Sequence, residues 1–372
     1  MNTTIHARIA AIRNRLVDLD LDALLVSIQE NRYYLSGFHA EDSQFDESAG
    51  VLIISGSDLV LATDSRYELQ AQAEAVGYDV IGYKKGLEEA LPSILGTMGV
   101  RRLGFESVRV SHKVHAAFVN ALNGVEPPID MVPTENLVES LRRIKSEDEI
   151  QLTVDALRLA ERAFTHVLET IRPGLTERQV AWSMERAMRE DGAQSLAFPV
   201  IVASGPNSAL PHAVPSDRPL SRGEPILFDW GARLNEYCSD TSRTVVIGKP
   251  DGRFQQVFDT VVAARDMAIE AIREGASGSQ VDKIARDHID RCGFTGRFGH
   301  SLGHGTGLAV HEGPRLSPIR DDRLEAGMIV TVEPGIYIPE WGGIRMENQV
   351  VVRADRAQVL NAPTPFDPQI GI

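Results

Sequence analysis

The chain has 372 residues, of which 43% are hydrophobic and 24% charged, so it can bury a large core in about two domains and is neither disordered nor fibrous. Its 38 basic and 52 acidic residues give a net charge of −14, which argues against a nucleic-acid backbone or an anionic membrane surface as partner. We therefore expect a substrate that is small or carries little net charge.

Two cysteines, Cys238 and Cys292, are too few for a disulfide framework and fit a reducing compartment. The first residues lack the apolar core of a signal peptide, and no apolar run approaches the roughly 20 residues that span a bilayer. These observations predict a cytoplasmic protein.

The first part of the chain predicts a small domain in which helices and strands alternate. Its predicted elements are a helix over Ile5–Leu19, a strand over Ala23–Ser27, a hairpin of Val51–Ile54 and Leu59–Thr63, a helix over Ser65–Val76 and a strand over Leu103–Glu106. A proline-rich break at Gly124–Pro128 suits a linker, so we assign residues 1–125 to this α/β domain and residues 126–372 to a second domain. The acidic segment Glu41–Glu47 is interpreted as a solvated loop.

The second domain contains an internal repeat. From Leu137 to Ile171 the pattern is helical and amphipathic, and Ser146–Glu149 supplies a cap and an acidic first turn. Six residues recur in the same order and spacing, namely Ile171, Arg172, Gly174, Gln179, Val180 and Gly192 as Ile272, Arg273, Gly275, Gln280, Val281 and Gly293. Each copy ends a helix, turns at a glycine, starts another helix and leads towards a pair of acidic residues. We infer two similar halves with a pseudo-twofold relation.

Those acidic residues are predicted to converge. A hairpin tightened around Leu234-Asn235 would put Asp229 opposite Asp240. A loop around Glu340–Gly342 would put Glu333 opposite Glu347 in the same way. Four carboxylates brought together in this way suit a pair of divalent metal ions.

One histidine is predicted to join the acids. His304 lies in the glycine-rich run Gly303–Gly307, where the backbone can approach another group closely. Four hard oxygen ligands and one nitrogen favour manganese, cobalt or zinc, and nothing in the chain resembles a thiolate zinc site. Two such ions can hold a bridging hydroxide and polarise a carbonyl, while one carboxylate carries a proton to the leaving nitrogen. The predicted reaction is amide hydrolysis.

The other histidines are weighed separately. His212 lies in a loop before the first hairpin, where it could donate a hydrogen bond to a developing oxyanion. The spacing from His304 to His311 does not repeat the facing of a strand, so spacing alone gives His311 no shared role, and His300 stays unassigned. The remaining histidines are interpreted as structural.

Several runs of the sequence together closely resemble the Xaa-Pro peptidases, prolidase and aminopeptidase P, which are relatives of methionine aminopeptidase. The runs are Ala203–His212, Asp229–Gly231, Ser239–Thr244, Gly299–Gly307, Glu333–Gly335 and Ile344–Asn348. The resemblance covers essentially the whole chain. It implies a creatinase-like α/β N-terminal domain, an α+β catalytic domain of the pita-bread type, a dinuclear metal site and a homodimer. It also implies hydrolysis of the bond between an N-terminal residue and proline in short peptides.

Carried onto this chain, the resemblance assigns roles to particular residues. The two divalent ions, manganese first and cobalt or zinc as alternatives, would be held by Asp229, Asp240, His304, Glu333 and Glu347. Glu333 would also be the proton shuttle. His212 and His311 match histidines that contact the substrate carbonyl and the tetrahedral intermediate, and Arg345 matches an arginine beside the last ligand.

Two residues depart from the family pattern, and three other functions are compatible with the same fold. Ser242 stands where threonine is commoner and Asn348 where aspartate is commoner, and neither change removes a ligand. A methionine aminopeptidase-like enzyme is the alternative activity. A creatine-hydrolysing enzyme or a non-peptidase binding protein of the same fold would have no need of five converging ligands.

Arg315, four residues after His311, bears on substrate length. Prolidases place an arginine there, and a guanidinium can grip the C-terminal carboxylate of a dipeptide with two hydrogen bonds. The alternative is a surface arginine paired with Asp321 or Asp322. The run Thr63–Tyr67 resembles aminopeptidase P members, which accept longer peptides. The sequence therefore predicts a general Xaa-Pro peptidase and leaves the preferred length open.

Overall fold

The computed structural model describes residues 3–42, 44, 47–362 and 366–371, and the chain divides into two compact units, residues 1–142 and 143–372. The acidic segment Glu41–Glu47 is described only in part, because residues 43, 45 and 46 lie outside the described residues. Glu41 and Glu47 are exposed, but Asp42 pairs with the buried Arg32 at 3.0 Å and has only 5% of its side chain exposed. The interpretation as a solvated loop is therefore wrong at Asp42, where the carboxylate balances a buried guanidinium, and it stays a prediction for residues 43, 45 and 46.

The first unit alternates helices and strands as its sequence pattern predicts. Its elements are α1 (Thr3–Asp18), β1 (Ala23–Val26), α2 (Gln29–Ser36), β2 (Val51–Ser55), β3 (Leu59–Asp64), α3 (Glu68–Glu74), β4 (Asp79–Tyr83), α4 (Leu87–Thr97), β5 (Arg102–Glu106), α5 (His112–Asn123), β6 (Asp130–Thr134) and α6 (Glu139–Arg142).

The strands of this unit form one mixed sheet in the order β4-β3-β2-β1-β5-β6. Strand β6 pairs in parallel with β5, from Asp130 beside Arg102 to Thr134 beside Glu106. The unit therefore runs past the predicted boundary at residue 125 and ends at Arg142. The proline-rich break is a turn between α5 and β6, because the same residue types that mark linkers also mark tight turns inside a domain.

The second unit carries more strands. Its helices are α7 (Glu147–Thr170), α8 (Glu177–Glu190), α9 (Gly252–Ala271) and α10 (Gly278–Ile289), with a 3₁₀ turn at Gly205–Ala209 and a π-helical turn at Asp290–Phe294. Its strands are β7 (Ser195–Leu196), β8 (Ile201–Ser204), β9 (Pro225–Trp230), β10 (Ala232–Leu234), β11 (Tyr237–Cys238), β12 (Thr241–Ile247), β13 (Gly303–Gly305), β14 (Glu312–Ser317), β15 (Arg320–Asp321), β16 (Ile329–Val332), β17 (Gly335–Ile338), β18 (Gly342–Arg345), β19 (Asn348–Val352), β20 (Ala357–Val359) and β21 (Gln369–Ile370).

Two halves of this unit repeat the same plan. Helices α7 and α8 precede a sheet in the order β21-β12-β9-β8, and α9 and α10 precede a sheet in the order β15-β14-β13-β16-β19-β20. Thr176 and Ser277 occupy the same place, each accepting a hydrogen bond from the backbone N–H of the glutamine three residues on. Gly174 and Gly275 before them have φ of 90° and 79°, which favours glycine. The predicted pseudo-twofold repeat is confirmed.

Each half has its own apolar core, which holds the strands that carry the acidic residues. In the first half Phe164 stacks on Trp230 with ring centroids 4.4 Å apart, and the Trp230 indole donates to the backbone oxygen of Ala160. In the second half Phe254 and Val330 are fully buried in one cluster with residues of α9, α10 and the long sheet. Strand ends supported by such cores change position little.

The first hairpin has a register that differs from the predicted one. Asp229 pairs with Ser242, and Asp240 lies directly before β12. The turn is formed by Asn235 and Glu236, which have φ of 47° and 69°, rather than by Leu234 and Asn235. A turn centred one residue later moves the register by two residues, and such a shift keeps side chains on the same face. The two aspartates are therefore diagonal neighbours instead of a direct pair.

The second hairpin has the predicted register. Val332 of β16 pairs with Asn348 of β19, and Gly335 of β17 pairs with Arg345 of β18. The two pairs have the same register, so Glu333, which lies between β16 and β17, is opposite Glu347, which lies between β18 and β19. The turn at 339–341 includes Glu340, whose φ is 66°.

Within the described residues, none of the helices combines the length and the apolarity that crossing a bilayer requires. The cysteines are both free, with Cys238 buried and Cys292 exposed.

Candidate metal centre and substrate cavity

The five predicted ligands come together. One oxygen each of Asp229, Asp240 and Glu347 lies within 4.8 Å of the others. The Nε2 atom of His304 is 3.5 Å from Asp240 Oδ2 and 3.4 Å from Glu333 Oε1. This cluster of four carboxylates and one imidazole is called the acidic centre below.

The backbone positions each member of the acidic centre at or near a strand end. Asp229 lies on β9 and Asp240 precedes β12, both in the sheet of the first half. Glu333 follows β16, Glu347 precedes β19 and His304 occupies the middle of β13, all associated with the sheet of the second half. Both halves of the unit therefore contribute side chains to the acidic centre, as the repeat predicts.

The glycines beside His304 are required by close packing of the strands. A Cβ atom at Gly303 would overlap the carbonyl oxygen of Thr331, and one at Gly305 would overlap that of Gly313. Strand β13 can lie this close to its neighbours only because both residues lack side chains.

Burial of the acids makes their negative charge unfavourable. Burial, followed by repulsion from Glu347, raises the pKa of Asp240 well above its usual range. Burial, followed by repulsion from Glu333, does the same to the pKa of Glu347. Burial also raises the pKa of Glu333 to about 7, although the Arg345 guanidinium opposes this effect. Such a cluster requires protons or cations to balance it.

Carboxylate oxygens without hydrogen-bond partners indicate that the centre suits cations better than protons. Asp229 Oδ2 accepts a hydrogen bond from Arg345 at 2.7 Å, and Glu347 Oε2 accepts one from Ser242 at 2.9 Å. The other oxygens, Asp229 Oδ1 and Glu347 Oε1, are buried with no hydrogen-bond partner among the described residues. Buried carboxylate oxygens without a hydrogen-bond partner fit divalent cations as ligands.

The protonation state of His304 also suits a metal ligand. Its Nδ1 lies 3.1 Å from the backbone oxygen of Gly305, which only accepts, so we assign the ring proton to Nδ1. Burial, with a smaller contribution from His311, lowers the pKa of His304 to about 3. The neutral ring then directs the Nε2 lone pair at carboxylate oxygens, an arrangement that a metal ion between them would stabilise.

A cavity of about 510 Å³ opens above the acidic centre. Its wall includes Phe198 and Val214, and it also contains His212 and His311. The two histidines are exposed, and neither imidazole forms a hydrogen bond within the described residues. The cavity has the size of a small-ligand site. Its histidines are therefore free to donate to a bound molecule.

Arg315 also lines this cavity. Its backbone N–H donates to Asp322 Oδ2 at 2.8 Å, but its guanidinium forms no ion pair with Asp321 or Asp322 in the part of the chain that the structure describes. The alternative prediction, a surface arginine paired with Asp321 or Asp322, is therefore wrong.

A hydrogen-bond chain behind the acidic centre was missed by sequence reasoning. Arg345 is buried and donates to Asp229 and, at 2.8 Å, to the hydroxyl oxygen of Tyr337. The same Tyr337 oxygen lies 2.8 Å from His300 Nε2. Burial lowers the pKa of His300 to about 4, so the ring is neutral. Tyr337 lies between two isoleucines on β17, where an alternating apolar strand gives no sign of a polar role.

Two family models match the chain. Residues 151–354 match metallopeptidase family M24, and residues 8–144 match the creatinase/prolidase N-terminal domain. An Xaa-Pro dipeptidase of Pyrococcus horikoshii is 34% identical over 91% of this chain and 92% of its own.

Two solved structures are similar throughout. An Xaa-Pro dipeptidase from Bacillus anthracis has a TM-score of 0.92 at 35% identity, covering 98% of this chain and 100% of that one. An X-Pro aminopeptidase from Thermotoga maritima has a TM-score of 0.86 at 34% identity, covering 96% and 100%. The similarity therefore extends over both units, and one of these proteins is named for dipeptides while the other is named as an aminopeptidase.

Proposed function

Because the chain belongs to metallopeptidase family M24, we propose that it hydrolyses the peptide bond between an N-terminal residue and proline in short peptides. The observation that carries this proposal is the acidic centre at the base of the cavity, where two buried carboxylate oxygens have no hydrogen-bond partner among the described residues and the Nε2 atom of His304 lies 3.4 Å from Glu333 Oε1. Two divalent ions would be held there by Asp229, Asp240, His304, Glu333 and Glu347. When bound, the ions would supply Lewis acidity and a water-derived nucleophile at neutral pH.

The carboxylates differ in what they can do besides holding metal. Asp240 and Glu347 are buried, and Asp229 is tied to Arg345. Glu333 lines the cavity with 18% of its side chain exposed, and it accepts a hydrogen bond from Thr331 at 3.2 Å. Among the four acids it is therefore best placed to take a proton and to pass it to the leaving proline nitrogen.

The cavity side chains would bind and orient the substrate. His212 and His311 would donate hydrogen bonds to the scissile carbonyl oxygen, whose negative charge grows as the bond is attacked. Arg315 would grip the C-terminal carboxylate of a dipeptide. Arg345 would hold Asp229 in place through the chain that includes Tyr337 and His300.

Substrate assays test this function directly. Purified protein supplied with manganese, cobalt or zinc would be offered Xaa-Pro, Xaa-Pro-Yaa and Met-Ala-Yaa peptides. We expect cleavage before proline and little cleavage of Met-Ala-Yaa. Cleavage of the methionine peptide alone would identify a methionine aminopeptidase instead, and metal binding without cleavage of any peptide would favour a binding protein.

Three further properties are part of the proposal. Manganese is proposed as the preferred metal because the donor set is mostly carboxylate oxygen. A homodimer is proposed from the family resemblance, and sedimentation at equilibrium would test it. A cytoplasmic location is proposed because the two cysteines are unpaired, and fractionation of cells would test it.

A further inference from the structure

A buried ion pair involves Glu312, the residue that follows His311. Lys145 Nζ is 3.0 Å from Glu312 Oε2, and the two side chains are only 2% and 7% exposed. Buried ion pairs lose much of their attraction to desolvation, so net stability is a weak explanation for this one. What the pair holds in place is a better guide to its role.

Glu312 organises the loop that carries His311. Its second oxygen, Oε1, accepts a hydrogen bond from the backbone N–H of Ala309 at 3.0 Å, and Gly307 N–H donates to the backbone oxygen of Ala309 at 3.0 Å. A Cβ atom at Gly307 would lie 2.9 Å from Glu312 Oε2 and 3.0 Å from Lys145 Cε. The loop is therefore packed against the ion pair without space for a further side chain.

Lys145 is itself held by regular structure. Its backbone N–H donates to Gly327 at 2.9 Å. The next residue, Ser146, starts α7 with a capping box in which Ser146 and Glu149 exchange hydrogen bonds. A lysine fixed on both sides provides a firm support for the carboxylate that it contacts.

His311 has few restraints of its own. Within the described residues its imidazole forms no hydrogen bond, and its ring contacts His304 edge-on with the centroids 4.3 Å apart. The direction of the ring therefore depends on the backbone of the loop. We propose that Lys145, acting through Glu312, is a positioning residue that aims His311 at the scissile carbonyl. This inference rests on the proposed peptidase function.

A double-mutant cycle tests the proposal. Lys145→Met, His311→Ala and the double variant would be assayed with Ala-Pro at saturating manganese. We expect Lys145→Met to lower kcat by about tenfold to a hundredfold, the effect of a misplaced group, with metal content unchanged. In the His311→Ala background the same change should lower kcat by less than about twofold, because the group being positioned is gone.

Matched variants separate positioning from general destabilisation. Lys145→Arg keeps the charge and should restore most of the activity. Glu147→Gln, two residues away, removes an exposed pair with Arg353 and should leave kcat unchanged. Glu312→Gln keeps the shape of the side chain but weakens its attraction to Lys145, and it replaces Lys145→Met in the cycle if that variant does not fold.

Two results would reject the proposed positioning role of Lys145. If the losses from Lys145→Met and His311→Ala multiply in the double variant, Lys145 does not act through His311. In protein labelled with ¹³C-histidine, the His311 signal should shift in Lys145→Met and stay in place in Glu147→Gln, and an unshifted signal in both rejects the proposal without reference to activity. Wild-type protein that cleaves no Xaa-Pro peptide would overturn the proposed function, whereas an active wild type with multiplied losses overturns only the positioning role.

Discussion

At the scale of single residues, Asp240 is the clearest test of the acidic centre. It is buried beside three other acids, and its raised pKa reflects that burial and their repulsion. We expect Asp240→Ala to reduce bound metal and turnover together by orders of magnitude, while the apolar cores keep the fold. Metal analysis and peptide assays on the same sample measure this. Two bound ions with normal turnover would remove Asp240 from the ligand set.

His212 and His311 are predicted to act on the substrate and not on the metal. Both are exposed in the cavity. Loss of one oxyanion donor typically lowers turnover by about 10²–10³, so His212→Ala and His311→Ala should be nearly inactive yet keep their metal. Metal content distinguishes the roles. A variant purified without metal would place its histidine among the ligands.

Arg315 is predicted to determine the affinity of the enzyme for dipeptides. Arg315 lines the cavity, and among the described residues its guanidinium pairs with neither Asp321 nor Asp322, so it is available to bind a carboxylate. Arg315→Ala should raise KM for Xaa-Pro and leave KM for Xaa-Pro-Yaa-Yaa almost unchanged, because the carboxylate of the longer peptide lies elsewhere. Steady-state kinetics on both peptides measure this. Equal losses on both, or none on either, would exclude Arg315 from carboxylate binding.

The residues that the sequence could identify are those whose chemistry is unusual for their position. Acids at the ends of apolar strands and a histidine between glycines are conspicuous, and the structure brings them together. Tyr337 and Lys145 were missed for the opposite reason. A tyrosine in an apolar strand and a lysine before a helix are ordinary locally, and their roles depend on partners far away in the chain.

At the scale of elements, the start of α2 provides a test of pH dependence. Its N-cap residue has no side-chain cap, and Glu106 instead accepts hydrogen bonds from the backbone N–H groups of Ser27 and Ile28 at 2.6 and 2.7 Å. Burial raises the pKa of Glu106 from 4.5 to about 7, although these hydrogen bonds oppose the shift.

A raised pKa means that the folded state holds the proton more tightly than the unfolded state does. The stabilisation from Glu106 is therefore fully present below about pH 4.5 and is lost as the pH rises through about 7. We expect the free energy of unfolding of the wild type, relative to Glu106→Gln, to decrease between pH 5 and pH 8. Urea unfolding at several pH values measures the difference. A difference that is constant, or that grows with pH, would contradict the assignment.

Elements differ in how far the sequence could specify them. The repeat was visible because caps and left-handed glycines are encoded locally, as at Thr176 and Gly174. The predicted register of the first hairpin is wrong by two residues. Its turn places Glu236 in a left-handed conformation that glutamate rarely adopts, so the sequence gives no sign of a turn there. The domain boundary was placed too early because whether a turn ends a domain depends on the pairing of β6 with β5.

At the scale of the whole molecule, the fold expected from the resemblance is confirmed. The chain has a creatinase/prolidase-type N-terminal domain and a pita-bread catalytic domain, as the matched family models and solved structures show. Composition and periodicity alone predict a small α/β domain and a second domain made of two similar halves, but not the order of the strands in the sheets, because that order is set by pairings that no local pattern encodes.

Metal binding is predicted to stabilise the whole protein. An ion that binds only the folded state at a hundred times its dissociation constant adds about 2.7 kcal/mol to the free energy of unfolding. The relief of repulsion among the buried acids acts in the same direction. We therefore expect added manganese to raise Tm of the wild type and not of Asp240→Ala, measured by calorimetry after chelation. Equal shifts in both proteins would show that the ion binds elsewhere.

The glycines on either side of His304 restrict how this protein can change over evolution. Positions 303 and 305 admit no side chain, because the neighbouring backbone occupies the space that one would need. A single substitution there cannot shift His304 slightly, since any added side chain would first have to separate two strands. Phe198 and Val214 face the cavity from outside these strands, and Val214 is 84% exposed. The outer wall of the cavity can therefore accept substitutions that alter its shape, while Gly303 and Gly305 on the strand that carries His304 cannot.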